Sequence, residues 1–223
     1  MLRRLVYAIG FLAALQNVRA DETNSVLDAW FAAQNNLHTW SADFVQTRAL
    51  NALTQPLVAT GHISFATPND FRWELGQPAQ TIALRHADEI FVVYPRLKHA
   101  ERYPLGDGTP AEWRDTMSLL QAGFPRNRRE FEAQFQILSL VETNGVWQLA
   151  LEPKSVFARR MMPELRIGLA TNDFSLADTT LVFVDGSRIR NDFTNAVLNP
   201  PLDRKLFEWS PPADFKVTHP FDQ

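Results

Sequence analysis

Three observations predict a mainly β (α+β) fold: a single antiparallel sheet curled into an incomplete barrel, with helices over one mouth. From Ala42 onward, apolar and polar residues alternate at period two over most of the chain. Two-residue turns of the Asx-Gly kind, Asn144-Gly145 and Asp185-Gly186, sit between β-rich runs; they suit hairpins and cannot serve parallel neighbours. The pattern supplies about ten or eleven strands against two or three helices, and a sheet that wide tends to curl.

The elements follow in order. Ser25 and Asp28 look like a helix entry. Val26, Trp30, Ala33, Leu37 and Trp40 then recur at helical spacing, which predicts an amphipathic helix with an aromatic face. Asp43 to Leu50 reads as a strand and Leu57 to Ala66 as its partner. Phe71, Trp73 and Leu75 alternate with Arg72 and Glu74, giving one aromatic and one wet face. Thr81 to Arg85 and Glu89 to Tyr94 continue the meander around a short His86-Ala87-Asp88 turn.

Gly106-Asp107-Gly108 breaks the series. Thr109, Pro110 and Glu112 form a helix entry, Trp113, Met117 and Leu120 share a face, and Gly123-Phe124-Pro125 ends the helix. A short helix is expected over Asn127 to Ala133, and strands resume near Phe135. Leu165, Ile167 and Leu169 alternate with Arg166 and Gly168, and Asn172-Asp173 turns the chain. Thr179 to Val184 and Ser187 to Phe193 flank the second Asx-Gly hairpin. Pro200 to Pro220 is proline-punctuated and irregular, with a short strand near Phe215 to Thr218.

The chain has 223 residues, 45% of them hydrophobic and 21% charged, which excludes global disorder. A net charge of −3 is too balanced for a general nucleic-acid binder. There is no cysteine, which removes disulfides, thiol nucleophiles, thiolate zinc sites and lipid attachment through sulfur. Residues 1–20 read as a secretory signal: Arg3 and Arg4, an apolar run from Leu5 to Leu15, and a small residue, Ala20, at the cleavage site. That run falls short of the ~20 residues a membrane span needs. Cleavage removes Arg3, Arg4 and Arg19 and no acid, taking the charge from −3 to −6. Residues 21–223 should then form one soluble domain on the far side of the inner membrane.

Chemistry-bearing constellations are scarce. No two of the five histidines stand three or four residues apart, so no helix carries a ready metal pair. No nucleophile elbow, phosphate-binding loop or dinucleotide fingerprint occurs. Glu74, Glu89, Glu101 and Asp88 fall on outward or turn positions, so no catalytic residue is assigned. The Arg126, Arg128 and Arg129 cluster and Arg159-Arg160 read as solvated charge or as contacts for a phosphate or a partner. The aromatic surplus, sixteen Phe and six Trp, either fills a core or lines an apolar ligand cavity under the helices. Met117, Met161 and Met162 would add adaptable contacts near such a mouth.

Ser41-Ala42-Asp43-Phe44-Val45-Gln46-Thr47, Gly61-His62-Ile63-Ser64-Phe65 and Pro68-Asn69-Asp70-Phe71-Arg72-Trp73-Glu74 occur in that order. Gln77-Pro78 and Glu89 to Pro95 follow. At the far end stand Phe193-Thr194-Asn195, Asn199-Pro200-Pro201-Leu202-Asp203, Leu206 to Trp209 and Pro211 to Val217. This ordered set resembles the outer-membrane lipoprotein carrier family (LolA-like). The resemblance spans nearly all of residues 21–223 and is weakest in the middle.

The resemblance implies a half-barrel whose helices form a lid over an apolar cavity. It implies a periplasmic carrier, monomeric and without cofactor, metal or enzymatic activity. Its partners would be acylated lipoproteins, an inner-membrane ABC-type lipoprotein-releasing complex and an outer-membrane receptor. The missing cysteine favours the soluble carrier over the lipidated receptor of the same fold. Phe71 and Trp73 are expected to line the cavity with Phe44 or Phe65, covered by Trp30 and Leu37 from the first helix and by Met117 and Leu120 from the second. Plain core packing is the competing reading for each. Many carriers have a lid-holding arginine where this chain has Thr67, a lid contact with one hydroxyl and no charge. A carrier of another lipid or glycolipid, or a lipoprotein-sensing interaction domain, would fit the same residues.

Overall fold

The structure is a computed structural model and describes residues 22–86, 88–105, 109–110 and 122–220. Helix α1 runs over residues 22–35. Six strands follow: β1 (Thr39–Ala49), β2 (Leu57–Ala66), β3 (Asp70–Leu75), β4 (Thr81–His86), β5 (Glu89–Tyr94) and β6 (His99–Pro104). Helix α2 (Arg128–Gln134) leads into β7 (Phe135–Thr143) and β8 (Val146–Pro153), and α3 (Val156–Met161) into β9 (Glu164–Ala170). Strands β10 (Leu176–Val182), β11 (Arg188–Leu198) and β12 (Lys216–Thr218) complete the chain.

All twelve strands form one sheet in the order β12-β6-β5-β4-β3-β2-β1-β11-β10-β9-β8-β7. Neighbours are antiparallel except β12 and β6. The sheet is open, with β12 and β7 at its ends. Two meanders, β1 to β6 and β7 to β11, meet where β1 pairs with β11, Phe44 opposite Phe193. The chain must therefore pass from the β6 side of the sheet to β7 at the far edge. That passage carries Ala122, Gly123 and Phe124 over the inner face of the sheet.

The expected helix of Trp113, Met117 and Leu120 falls on residues outside those described, as does the signal segment 1–20. The first helix ends at residue 35, so Leu37 lies in the connecting turn and Trp40 already belongs to β1. Leu27, Trp30 and Phe31 form the buried face of α1. Trp40 faces the same core from the sheet, so its helical spacing from Trp30 is a coincidence of position. Asn127 caps α2 by accepting from the Glu130 N–H, and Ser155 caps α3 by accepting from Ala158.

Two elements escaped the sequence reading. The six residues of α3 are too few to display a period. Strand β6 has Ala100 on its outer face, while His99, Glu101 and Tyr103 face inward, so no apolar alternation marks it. This corrects the outward placement of Glu101: it pairs with Val92, a cavity-wall residue, and its carboxylate accepts from the Tyr103 hydroxyl at 2.8 Å.

The main core lies on the inner face, between sheet, α1 and α2, and includes Trp30, Trp40, Phe44, Phe131, Leu149 and Ile167. Gly61 is required there: a Cβ would stand 2.2 Å from Cζ of Phe44 and 2.3 Å from the Glu74 carbonyl oxygen. Phe44 thus lies across bare backbone of β2. A second core covers the outer face of β4, β5 and β6, where Leu84, Val93 and Ala100 pack with Phe91, Trp209 and Phe215. The irregular tail supplies the last two, so these strands are buried on both faces rather than wet on one.

Candidate functional site

Strand parity builds the site. Opposite residues of antiparallel neighbours share a face, so Phe65 meets Phe71 and Ile63 meets Trp73 across β2 and β3. Across β3 and β4, Trp73 meets Ala83. On the other meander, Thr179 pairs with Ile167 and Asn191, and Leu181 with Leu165 and Ile189. These side chains enclose a cavity of about 370 Å³ between the sheet and the Ala122–Phe124 passage. Its size falls within the ~300–1,000 Å³ of small-molecule sites.

The wall is aromatic and aliphatic. Phe124 roofs it, stacked on Phe65 with centroids 4.4 Å apart and planes 12° from parallel. Trp40 tilts against the same ring at 5.1 Å. Trp73 packs on Phe44 at 4.0 Å. One polar row interrupts the apolar wall: Gln46 Nε2 donates to Asn191 Oδ1 at 3.0 Å, and Asn191 Nδ2 donates to Thr179 Oγ1 at 3.0 Å. The amides satisfy one another, which is how buried polar groups are tolerated.

Of the residues singled out in the sequence, Phe65, Phe71 and Trp73 lie on the cavity wall. Phe44 and Trp30 do not; both are fully buried core residues, Phe44 behind Trp73 and Trp30 against Phe31 and Phe131. Leu37 lines a smaller cleft beside Phe124. Met117 and Leu120 lie outside the described residues. Met162 is buried in the core and Met161 is exposed on α3, so neither reaches the wall. Thr67 borders a cleft with Leu37, Phe124 and Arg126. Its backbone N–H donates to the His38 carbonyl at 2.8 Å, tying β2 to the turn after α1.

Phe124 and Phe193 belong to the site and were missed as lining residues. Phe124 reads in the sequence only as part of a helix stop, and Phe193 as one of many strand aromatics. The basic cluster divides: Arg128 bonds Asp28, Asn24 and Glu132, linking α2 to α1, whereas Arg126 stands at the rim beside Phe124. Among the described residues no group of His, Asp and Glu is placed to hold a metal ion.

A family model described as outer membrane lipoprotein carrier protein LolA matches residues 35–210. The chain belongs to this family. The fold agrees with that of an uncharacterized conserved protein from Thermus thermophilus, which is 11% identical with a TM-score of 0.52. That match covers 89% of this chain and 99% of the other. A LolA superfamily protein from Nitrosomonas europaea is 9% identical, covering 83% of this chain and 97% of its own, with a TM-score of 0.44. Lipoprotein LppX of Mycobacterium tuberculosis is 10% identical, covering 79% and 94%, with a TM-score of 0.42. No curated protein matches the sequence.

Proposed function

We propose that this LolA-family protein is a periplasmic carrier that shelters the acyl chains of lipoproteins between the inner and outer membranes. It takes them from an ABC-type releasing complex and passes them to an outer-membrane receptor. The observation that carries this reading is the roofed cavity, walled by Phe65, Phe71, Trp73, Phe124 and Phe193. An acyl chain gains about 0.8 kcal/mol per buried methylene, so one of roughly 16 carbons forfeits on the order of 13 kcal/mol on entering water. A wall of rings and branched side chains replaces that burial reversibly. The protein needs no chemical step of its own, and binding rather than catalysis is its task.

Phe71→Glu tests the reading. The side chain is half-buried at the wall, so the fold should persist while a charge lies where hydrocarbon must go. Acylated peptide binding should fall at least tenfold with the circular dichroism spectrum retained. Wild-type loading by the variant would overturn the assignment. Mass spectrometry of material co-purifying from the periplasm separates lipoprotein cargo from free lipid or glycolipid.

A further inference from the structure

The polar row of the cavity wall has hydrogen-bonding capacity that the protein does not use. Gln46 stands opposite Asn191 across β1 and β11, and Asn191 opposite Thr179 across β11 and β10. The three side chains share one face and form a single rung across three neighbouring strands, and all three line the cavity. The rungs on either side are apolar: Phe193 belongs to one, Leu181 and Ile189 to the other. A leucine and valine rung would hold bare hydrocarbon without any polar group to cover.

The unused capacity follows from the bonds already made. Gln46 Nε2 spends one of its two hydrogens on Asn191, and Asn191 Nδ2 one of its two on Thr179. Thr179 Oγ1 accepts, which leaves its own proton free. Among the described residues these three side chains have no other hydrogen-bond partner. Gln46 Oε1 is also unpartnered, and protein does not seal it from open space. Asn191, at the centre, is only 6% exposed, so what enters the cavity decides whether its spare hydrogen is met. Hydrocarbon laid over the row would cover three donors and an amide oxygen unmatched. A carbonyl oxygen accepts from such donors, and an amide N–H can in addition donate to Gln46 Oε1.

We propose that the Gln46–Asn191–Thr179 row binds the carbonyl group at the head of an acyl chain, ester or amide, while the hydrocarbon lies across the cavity along Phe65, Phe71 and Trp73. This rests on the carrier reading and deepens it: the site reads the acyl linkage as well as the chain. An alkyl ether of equal length fills the same space and leaves the donors unmet.

Calorimetry on the purified protein tests it with N-methyldodecanamide, methyl dodecanoate and dodecyl methyl ether, which share one chain length. One net hydrogen bond should favour the ester over the ether by about five- to tenfold, and the amide by at least as much. A gain confined to the amide or to the ester names the linkage that the row reads. The variant Gln46→Met/Thr179→Val/Asn191→Leu removes the whole rung with side chains of similar size, so no partner is stranded. In it the amide and the ester should fall to the level of the ether, with the circular dichroism spectrum retained. If it fails to fold, Thr179→Val serves, with part of the preference lost. Equal binding of all three ligands by the wild type, or a preference unchanged in the folded variant, overturns the carbonyl site and leaves the carrier reading standing. Failure of all three ligands to bind overturns both.

Discussion

Asp43 shows how single side chains outside the cavity steady the β1–β11 seam. Its carboxylate accepts from Asn195 Nδ2 at 2.9 Å and lies 2.8 Å from His62 Nδ1. The Asn195 hydrogen bond first, and His62 second, hold its pKa below the ordinary carboxylate range. A carboxyl depressed in the folded state stabilises fully above its unfolded pKa and loses that contribution as pH falls through the lower folded value. Asn195→Ala should raise the Asp43 pKa in a carboxyl-detected NMR titration. It should also shrink the loss of stability on acidification through that window, by a small amount because the pair is half exposed. An unmoved titration would show that Asn195 does not hold this carboxylate.

Between elements, the junction of α1 and β1 depends on one asparagine from the far end of the chain. Asn199 accepts from the backbone N–H groups of His38 and Thr39 through Oδ1, and its Nδ2 donates to the Asn36 carbonyl. Its own N–H donates to the Thr39 carbonyl, and its φ of 54° is one that asparagine tolerates better than most residues. The turn thus has its backbone groups paired without a glycine. Asn199→Ala should cost about 1–3 kcal/mol in denaturant unfolding, because several donors and acceptors lose partners at once. A change below ~0.5 kcal/mol would mean that water replaces the amide.

For the whole molecule, the two cores have opposite duties. The inner face encloses a cavity, so the strands that wall it need support from behind. The tail provides it: the 3-10 turn Arg204–Phe207 packs on β3 and β4, and Trp209 and Phe215 close the outer core. Arg72 Nη1 donates to the Leu206 carbonyl at 3.3 Å, fastening the turn to β3. Phe207 is fully buried. Phe207→Ala should therefore cost about 3–5 kcal/mol, read as a lowered midpoint of thermal unfolding. An unchanged midpoint would show that the tail is an ornament rather than a brace.

The antiparallel meanders, both Asx-Gly hairpins and the aromatic face shared by Phe71 and Trp73 are legible in residue order alone, because period and turn chemistry are local. Its ordered motifs also pointed to the family. Which aromatics face space and which face protein is set by packing across the sheet: Phe44 and Phe65 read alike in one dimension, yet Phe44 is pressed on Gly61 and Phe65 borders the hollow. The same holds for Phe124, whose stacking partner lies 59 residues away in the chain. Strand pairing and the crossing of the chain set those positions, and both depend on contacts between residues far apart in sequence.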